Sequence, residues 1–195
     1  MANNYWQARM ASAQDLISQK NHKQIERILS KYYRTAAQGV IDDFTETYNK
    51  VLSAMEKGVQ PTPADLYKLD SYWQMQSQLD VRLKQLGERE QSQMLRAFKR
   101  NYWDVYEKLT KDLSVLGLNA FSTIDEGAVT QVINAIWCTD GLSWSQRIWK
   151  NTALLKETLN EELIRCVTTG KSPSYLKKLL QERFCLLPVP LRNNF

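Results

Sequence analysis

Arg96, Lys99 and Arg100 stand at helical spacings of three and four, which puts three cations on one helix face opposite a stripe through Phe98 and Tyr102. Such a row either faces solvent or meets phosphates. A second basic group closes the chain: Lys171, Lys177, Lys178, Arg183 and Arg192 stand against Glu182 alone between residues 171 and 195. This end lacks interleaved aromatics on which bases stack, so a DNA contact there is electrostatic and blind to sequence. Most of the formal charge of +5 sits in that end, and the first 170 residues are close to neutral. Net charge therefore does not mark the whole chain as a nucleic-acid binder.

Other reactive types are thinly spread. His22 is the single histidine and lies in the polar run Lys20 to Gln24, where a solvated helix-face role suits it. A Ser-His or Cys-His nucleophile pair would need that imidazole in a packed pocket. Cys138, Cys166 and Cys185 form an odd, widely spaced set, which fits neither a disulfide framework nor a zinc site. They read as small apolar fillers in a reducing compartment. Asp42-Asp43 and Glu161-Glu162 are adjacent in sequence, so their carboxylates point to different helix faces and serve solvation. The glycines are too scattered for a phosphate loop. The expectation is a non-enzymatic protein with no cofactor, no metal and no small-molecule substrate.

The elements that carry these residues are helical. Gly and Pro number 7 and 5 in 195 residues, which leaves long helices free to form. An apolar fraction of 43% suits a folded core rather than disorder. No run approaches the ~18 apolar residues of a membrane span, and Met1-Ala-Asn-Asn-Tyr-Trp lacks the basic flank and apolar centre of a signal peptide. A first stripe runs through Ile25, Ile28, Leu29, Tyr32, Ala36, Val40, Ile41, Phe44, Tyr48, Val51, Leu52 and Met55, with a loosening expected at Lys20-Asn21-His22. Gly58 to Pro63 ends it, and Thr62-Pro63-Ala64-Asp65 reads as the next helix start. A second stripe holds Leu66, Leu69, Trp73, Leu79, Leu83 and Leu86, with an interruption expected at Gly87. A further stripe then runs from Met94 to Leu113. After a turn at Gly117 to Ser122, Asp125 starts a helix through Val129, Val132, Ile133, Ile136 and Trp137. Thr139-Asp140-Gly141 breaks it. The next helix carries Ile148, Trp149, Leu155, Leu159, Leu163, Ile164 and Val167 up to Gly170, and Ser172-Pro173 begins a last one. Strand alternation is missing. The expected fold is all-α, an elongated bundle of five to six helices with long N-terminal amphipathic members.

Six tryptophans and nine tyrosines are a heavy aromatic load. Most suit a core, but Tyr5-Trp6 and the group Trp137, Trp144 and Trp149 sit at element ends, where aromatics either lock a helix corner or anchor a partner. The run from Ile133 to Asn151, with Trp137, Asp140, Gly141, Ser145, Arg147, Ile148, Trp149 and Asn151, resembles a segment of phage head morphogenesis proteins. These are the portal-associated minor capsid proteins of tailed phages and prophages. Ile164 to Ser172 is similar to the helix end that follows in that family. Tyr5, Trp6 and Arg9 match its opening Tyr-Trp-x-x-Arg, and Leu66 to Gln76 fits its middle, so the resemblance covers about residues 3 to 184.

The resemblance implies a minor head protein that binds the portal or the inner procapsid during head assembly and DNA packaging or ejection. Its partners would be portal protein and inner capsid components, with double-stranded DNA met through nonspecific phosphate contacts and no membrane. It would reside in the bacterial cytoplasm during assembly and inside the phage head in the virion. Within the motif, Asp140-Gly141 suits a tight turn, Ser143 or Ser145 a helix cap, and Arg147 a contact to an acid or to closing carbonyls, with Ile148 and Trp149 turned inward. That is a structural clasp. Family members continue after Arg183-Phe184 into a mixed α/β module, whereas this chain reads Cys185-Leu186-Leu187-Pro188 and on to Phe195. Residues 1–184 are thus the expected helical region and 185–195 an off-pattern tail, which implies a truncated form. The rival expectations are a sequence-nonspecific DNA-associated helical protein and an inert prophage remnant.

Overall fold

A computed structural model describes residues 2–54, 62, 64, 70–115, 125–136 and 140–186, with side chains described between Asp15 and Glu182. These residues form five helices: α1 (Ala2–Ala54), α2 (Asp70–Ser114), α3 (Glu126–Asn134), α4 (Trp144–Thr168) and α5 (Pro173–Leu186). There is no strand among the described residues, and the fold is an all-α helical bundle. The expected turns at 58–63 and 117–122, and most of the helix start at Thr62, lie outside them. Two expected interruptions do not occur. α1 runs unbroken through Lys20-Asn21-His22, and α2 runs unbroken through Gly87.

The chain divides into two units, each assembled from separate stretches: Met1–Ile28 with Gln91–Gln146, and Leu29–Glu90 with Arg147–Phe195. In the first unit Asn21 Nδ2 donates to Asn101 Oδ1 (3.1 Å) and Asp104 Oδ2 (3.2 Å), and Arg100 Nη1 donates to Gln24 Oε1 (3.3 Å). Rising numbers on α1 meet falling numbers on α2, so the pair is antiparallel. Ile25, Met94, Val129 and Ile133 are buried here. α3 starts at Asp125, as expected, because its carboxylate accepts from Gly127 N at 2.9 Å and satisfies one orphan donor of the first turn. α3 ends at Asn134, where the extended Ala135 caps it, short of the Ile136 expected on it; Val132 and Ile136, expected on its apolar stripe, are 45% and 60% exposed.

The second unit holds most of the buried apolar side chains. α1 supplies Leu29, Tyr33, Ala37, Val40, Ile41, Phe44, Tyr48 and Val51, and α2 supplies Tyr72, Met75, Leu79, Leu83 and Leu86. The sequence stripes were misplaced by one residue at three positions. Tyr33 and Ala37 face inward rather than Tyr32 and Ala36, and Tyr72 does so rather than Trp73, which is 56% exposed. A residue is 100° of helix rotation, enough to move a side chain from the core to the rim. α4 lies antiparallel to α2, since Tyr72 Oη and Gln76 Nε2 both donate to Asn160 Oδ1 (3.1 and 2.7 Å) while Lys156 Nζ meets Asp80 at 2.7 Å. It buries Ile148, Leu155, Leu159, Leu163, Cys166 and Val167 at helical spacing.

Gly170 ends α4 with φ +65°, and the Lys171 and Gly170 amides donate to the Cys166 and Val167 carbonyls (2.9 and 3.2 Å). That crossed pair is the Schellman closure, which needs a left-handed residue that glycine adopts without a Cβ clash. Pro173 then opens α5, where its missing amide hydrogen costs nothing. At 14 residues α5 is too short to be stable alone, so its helicity depends on docking through the fully buried Leu176 and Leu180. It continues to Leu186, two residues into the 185–195 segment, whose remainder lies outside the described residues.

Candidate functional site

The segment that carries the resemblance is a turn and cap between α3 and α4. Asp140 Oδ1 accepts from Leu142 N at 3.2 Å, an Asx turn in which Gly141 takes φ +70°. Ser143 Oγ accepts from Gln146 N (3.3 Å) while Ser143 N donates to Gln146 Oε1 (2.8 Å). This reciprocal capping box identifies Ser143, not Ser145, as the cap of α4. Ser145 Oγ lies 3.1 Å from Ser143 Oγ. Trp144 packs edge-on against Phe98 with ring centroids 5.4 Å apart and donates from Nε1 to Asn134 Oδ1 at 3.3 Å. In the first unit this indole ties the start of α4 to both α2 and α3.

The rest of the motif belongs to the second unit. Ile148 is buried, and Arg147 and Asn151 are half-buried. Trp149 is turned inward only in part, with 37% exposure. Its six-membered ring lies on α2 at Gly87, where an added Cβ would come within 2.8 Å of Cζ3. Gly87 is therefore a seat for an aromatic ring inside a continuous helix, which explains a glycine where the sequence suggested a break. Trp137 lies outside the described residues. Tyr5, Trp6 and Arg9 belong to α1 and Arg183 to α5, but their side chains are not among those described.

The basic positions fall in different units. Arg96 and Arg100 are exposed and Lys99 half-buried on α2 of the first unit, whereas Lys171, Lys177 and Lys178 are exposed in the second. Lys171 Nζ sits 4.0 Å from the Tyr175 ring centroid, a cation–π contact. Tyr102, expected in the apolar stripe opposite Arg96, is 37% exposed, and Trp103 beside it is 39% exposed. The face of α1 that Arg100 reaches carries exposed Lys20, Lys23 and Arg27. Sequence inspection passed over these three, although their spacing repeats that of Arg96, Lys99 and Trp103.

Two polar groups in the second unit were also missed. Tyr33 Oη donates to Glu90 Oε2 at 2.6 Å, joining α1 to α2. Burial pushes the Glu90 carboxyl above its ordinary value, and the Tyr33 hydrogen bond partly opposes this. Burial, with the Glu90 charge and hydrogen bond, also raises the Tyr33 phenol. Asp43, expected only to aid solvation, accepts both Arg82 Nε (2.5 Å) and Arg82 Nη2 (2.8 Å). That hydrogen bonding raises the Arg82 guanidinium further. Gly39 leaves room for the fork, since a Cβ there would lie 2.2 Å from Arg82 Nη1.

Among the described residues, groups suited to bond-making chemistry are not gathered in one place. Cys166 is fully buried and burial raises its thiol, so the reactive thiolate is disfavoured and the filler role fits. His22 is half-buried on α1. Glu46, Asn49, Lys50 and Ser53 line an open hollow on α1, where Glu46 and Lys50 already pair at 2.6 Å. Among the described residues no group of His, Cys, Asp and Glu is placed to hold a metal ion, and no helix is long and apolar enough to cross a membrane. Comparison with protein-family models, curated proteins and solved structures finds no match.

Proposed function

We propose that this chain is a non-enzymatic minor head protein that docks on the portal or the inner procapsid surface during phage head assembly. The observation that carries the reading is the resemblance around Asp140 to Asn151, together with what that segment builds. Its turn and cap start α4, Trp144 joins that start to Phe98 and Asn134, and Trp149 is seated on Gly87. A shared motif of this kind preserves a scaffold and leaves function to the helix surfaces. Those of the second unit include Trp73, Val81 and Leu154 at 56%, 51% and 62% exposure. Tryptophan is favoured among residues that anchor protein interfaces.

Co-expression with the portal protein of the same genome, followed by size-exclusion chromatography, tests this. The chain is expected to elute with the portal ring, and Trp73→Ser with Leu154→Ser to reduce the amount retained. Elution of wild type apart from a correctly assembled ring would overturn the reading.

A further inference from the structure

We infer that the exposed face shared by α1 and α2 in the first unit binds single-stranded nucleic acid, with phosphates along its cations and an unpaired base against Trp103. Lys20, Lys23 and Arg27 occupy positions i, i+3 and i+7 on α1, and Arg96, Lys99 and Trp103 repeat that spacing on α2, with Arg100 between. The Gln24–Arg100 hydrogen bond joins the two rows edge to edge, while Asn21 with Asn101 and Asp104 marks the inward side. In an antiparallel pair these rows turn to the same side. Six cations thus line one face from two helices.

The acidic side chains of α2 beside Trp103 are Asp104 and Glu107, and both have partners. Asp104 accepts from Asn21, and Glu107, one turn beyond Trp103, pairs with Lys111 at 2.5 Å. Six cations outnumber the neighbouring acids Glu26, Asp104 and Glu107, so the face stays net positive, which suits a chain of phosphates. Trp103 selects among anionic polymers. Its indole is 39% exposed, braced edge-on by Tyr106 at 6.0 Å, and lies one turn from both Lys99 and Arg100. An aromatic platform beside a cation row offers stacking to a base that is free to leave its partner, which a paired duplex base or an acidic peptide cannot use. The inference is independent of portal docking, which concerns the second unit.

Fluorescence anisotropy of the full chain with a labelled oligothymidylate tests it, with a duplex of equal length and polyglutamate as competitors. The single strand is expected to bind with a log–log salt slope of about −4 if all six cations engage phosphates. Arg27→Gln, Arg96→Gln and Arg100→Gln together should flatten that slope by about 2. Trp103→Ala should weaken binding about tenfold while Trp103→Phe retains most of it. Circular dichroism establishes that each variant keeps its helicity, since every changed side chain is exposed. Duplex or polyglutamate binding as tight as the single strand overturns the inference. So does unchanged affinity in folded Trp103→Ala.

Discussion

Replacing Tyr33 with Phe removes one hydroxyl and leaves the ring that fills the α1–α2 interface, so its effect isolates the bond to Glu90. The oxygen–oxygen distance is 2.6 Å and Tyr33 is 7% exposed, which marks a short, charge-assisted bond partly shielded from water. Hydrogen bonds to charged groups contribute about 1.5–3 kcal/mol, against about 0.5–1.5 kcal/mol for neutral pairs. Above the Glu90 pKa the carboxylate is ionised, and Tyr33→Phe strands a half-buried charge. Below it the carboxyl is neutral and supplies its own donor. The substitution should therefore cost about 1 kcal/mol more on the alkaline side of the Glu90 titration than at pH 4.

The pH dependence of the wild type follows from the same pair. Burial holds the folded Glu90 pKa above its ordinary 4.5, so between those values the folded state binds more protons than the unfolded chain. Stability from this group is full below the unfolded pKa and falls as pH rises through the folded one. Glu90→Gln removes that fall, and Tyr33→Phe steepens it by taking away the contact that lowers the pKa. Urea unfolding across a pH series from 4 to 9 for wild type and both variants reads all three slopes. An equal cost of Tyr33→Phe across that range would refute the assignment of an ionised partner.

Further outcomes follow from single contacts. Gly39→Ala should gain about 1 kcal/mol of helix propensity, yet its Cβ would strike Arg82 Nη1 and split the fork on Asp43. Chemical unfolding should show it neutral or destabilising in wild type and stabilising in Arg82→Ala; the same sign in both backgrounds counts against the clash. Ser143→Ala should cost about 1 kcal/mol as a lost cap, whereas Ser145→Ala should leave the thermal midpoint nearly unchanged. Equal losses would place the cap wrongly. Gly141→Ala meets open space, so any loss reports the left-handed backbone alone, about 1–2 kcal/mol.

The helices themselves were legible because their signals are local. Asp125, Gly170 and Pro173 fix starts and stops through groups a few residues away, and the structure uses each of them so. What escaped depends on partners distant in sequence. Gly87 looks like a breaker until Trp149, 62 positions later, is laid on it. Asp43 looks solvated until Arg82 arrives from the antiparallel helix, and Glu90 is an ordinary surface residue until Tyr33 covers it. The inward residue at Tyr32 or Tyr33 was beyond periodicity alone, since both are apolar enough to serve. The cation row of α1 was equally hidden: Lys20, Lys23 and Arg27 become a surface only when the α1–α2 register sets them beside Arg96 and Arg100.

Docking on a portal is the central claim, and analytical ultracentrifugation of the purified chain with assembled portal rings from the same genome tests it most directly. A faster-sedimenting species containing both proteins, at a ratio that saturates as chain is added, is the predicted result. Two independent boundaries at every mixing ratio, each matching its component alone, would contradict the claim.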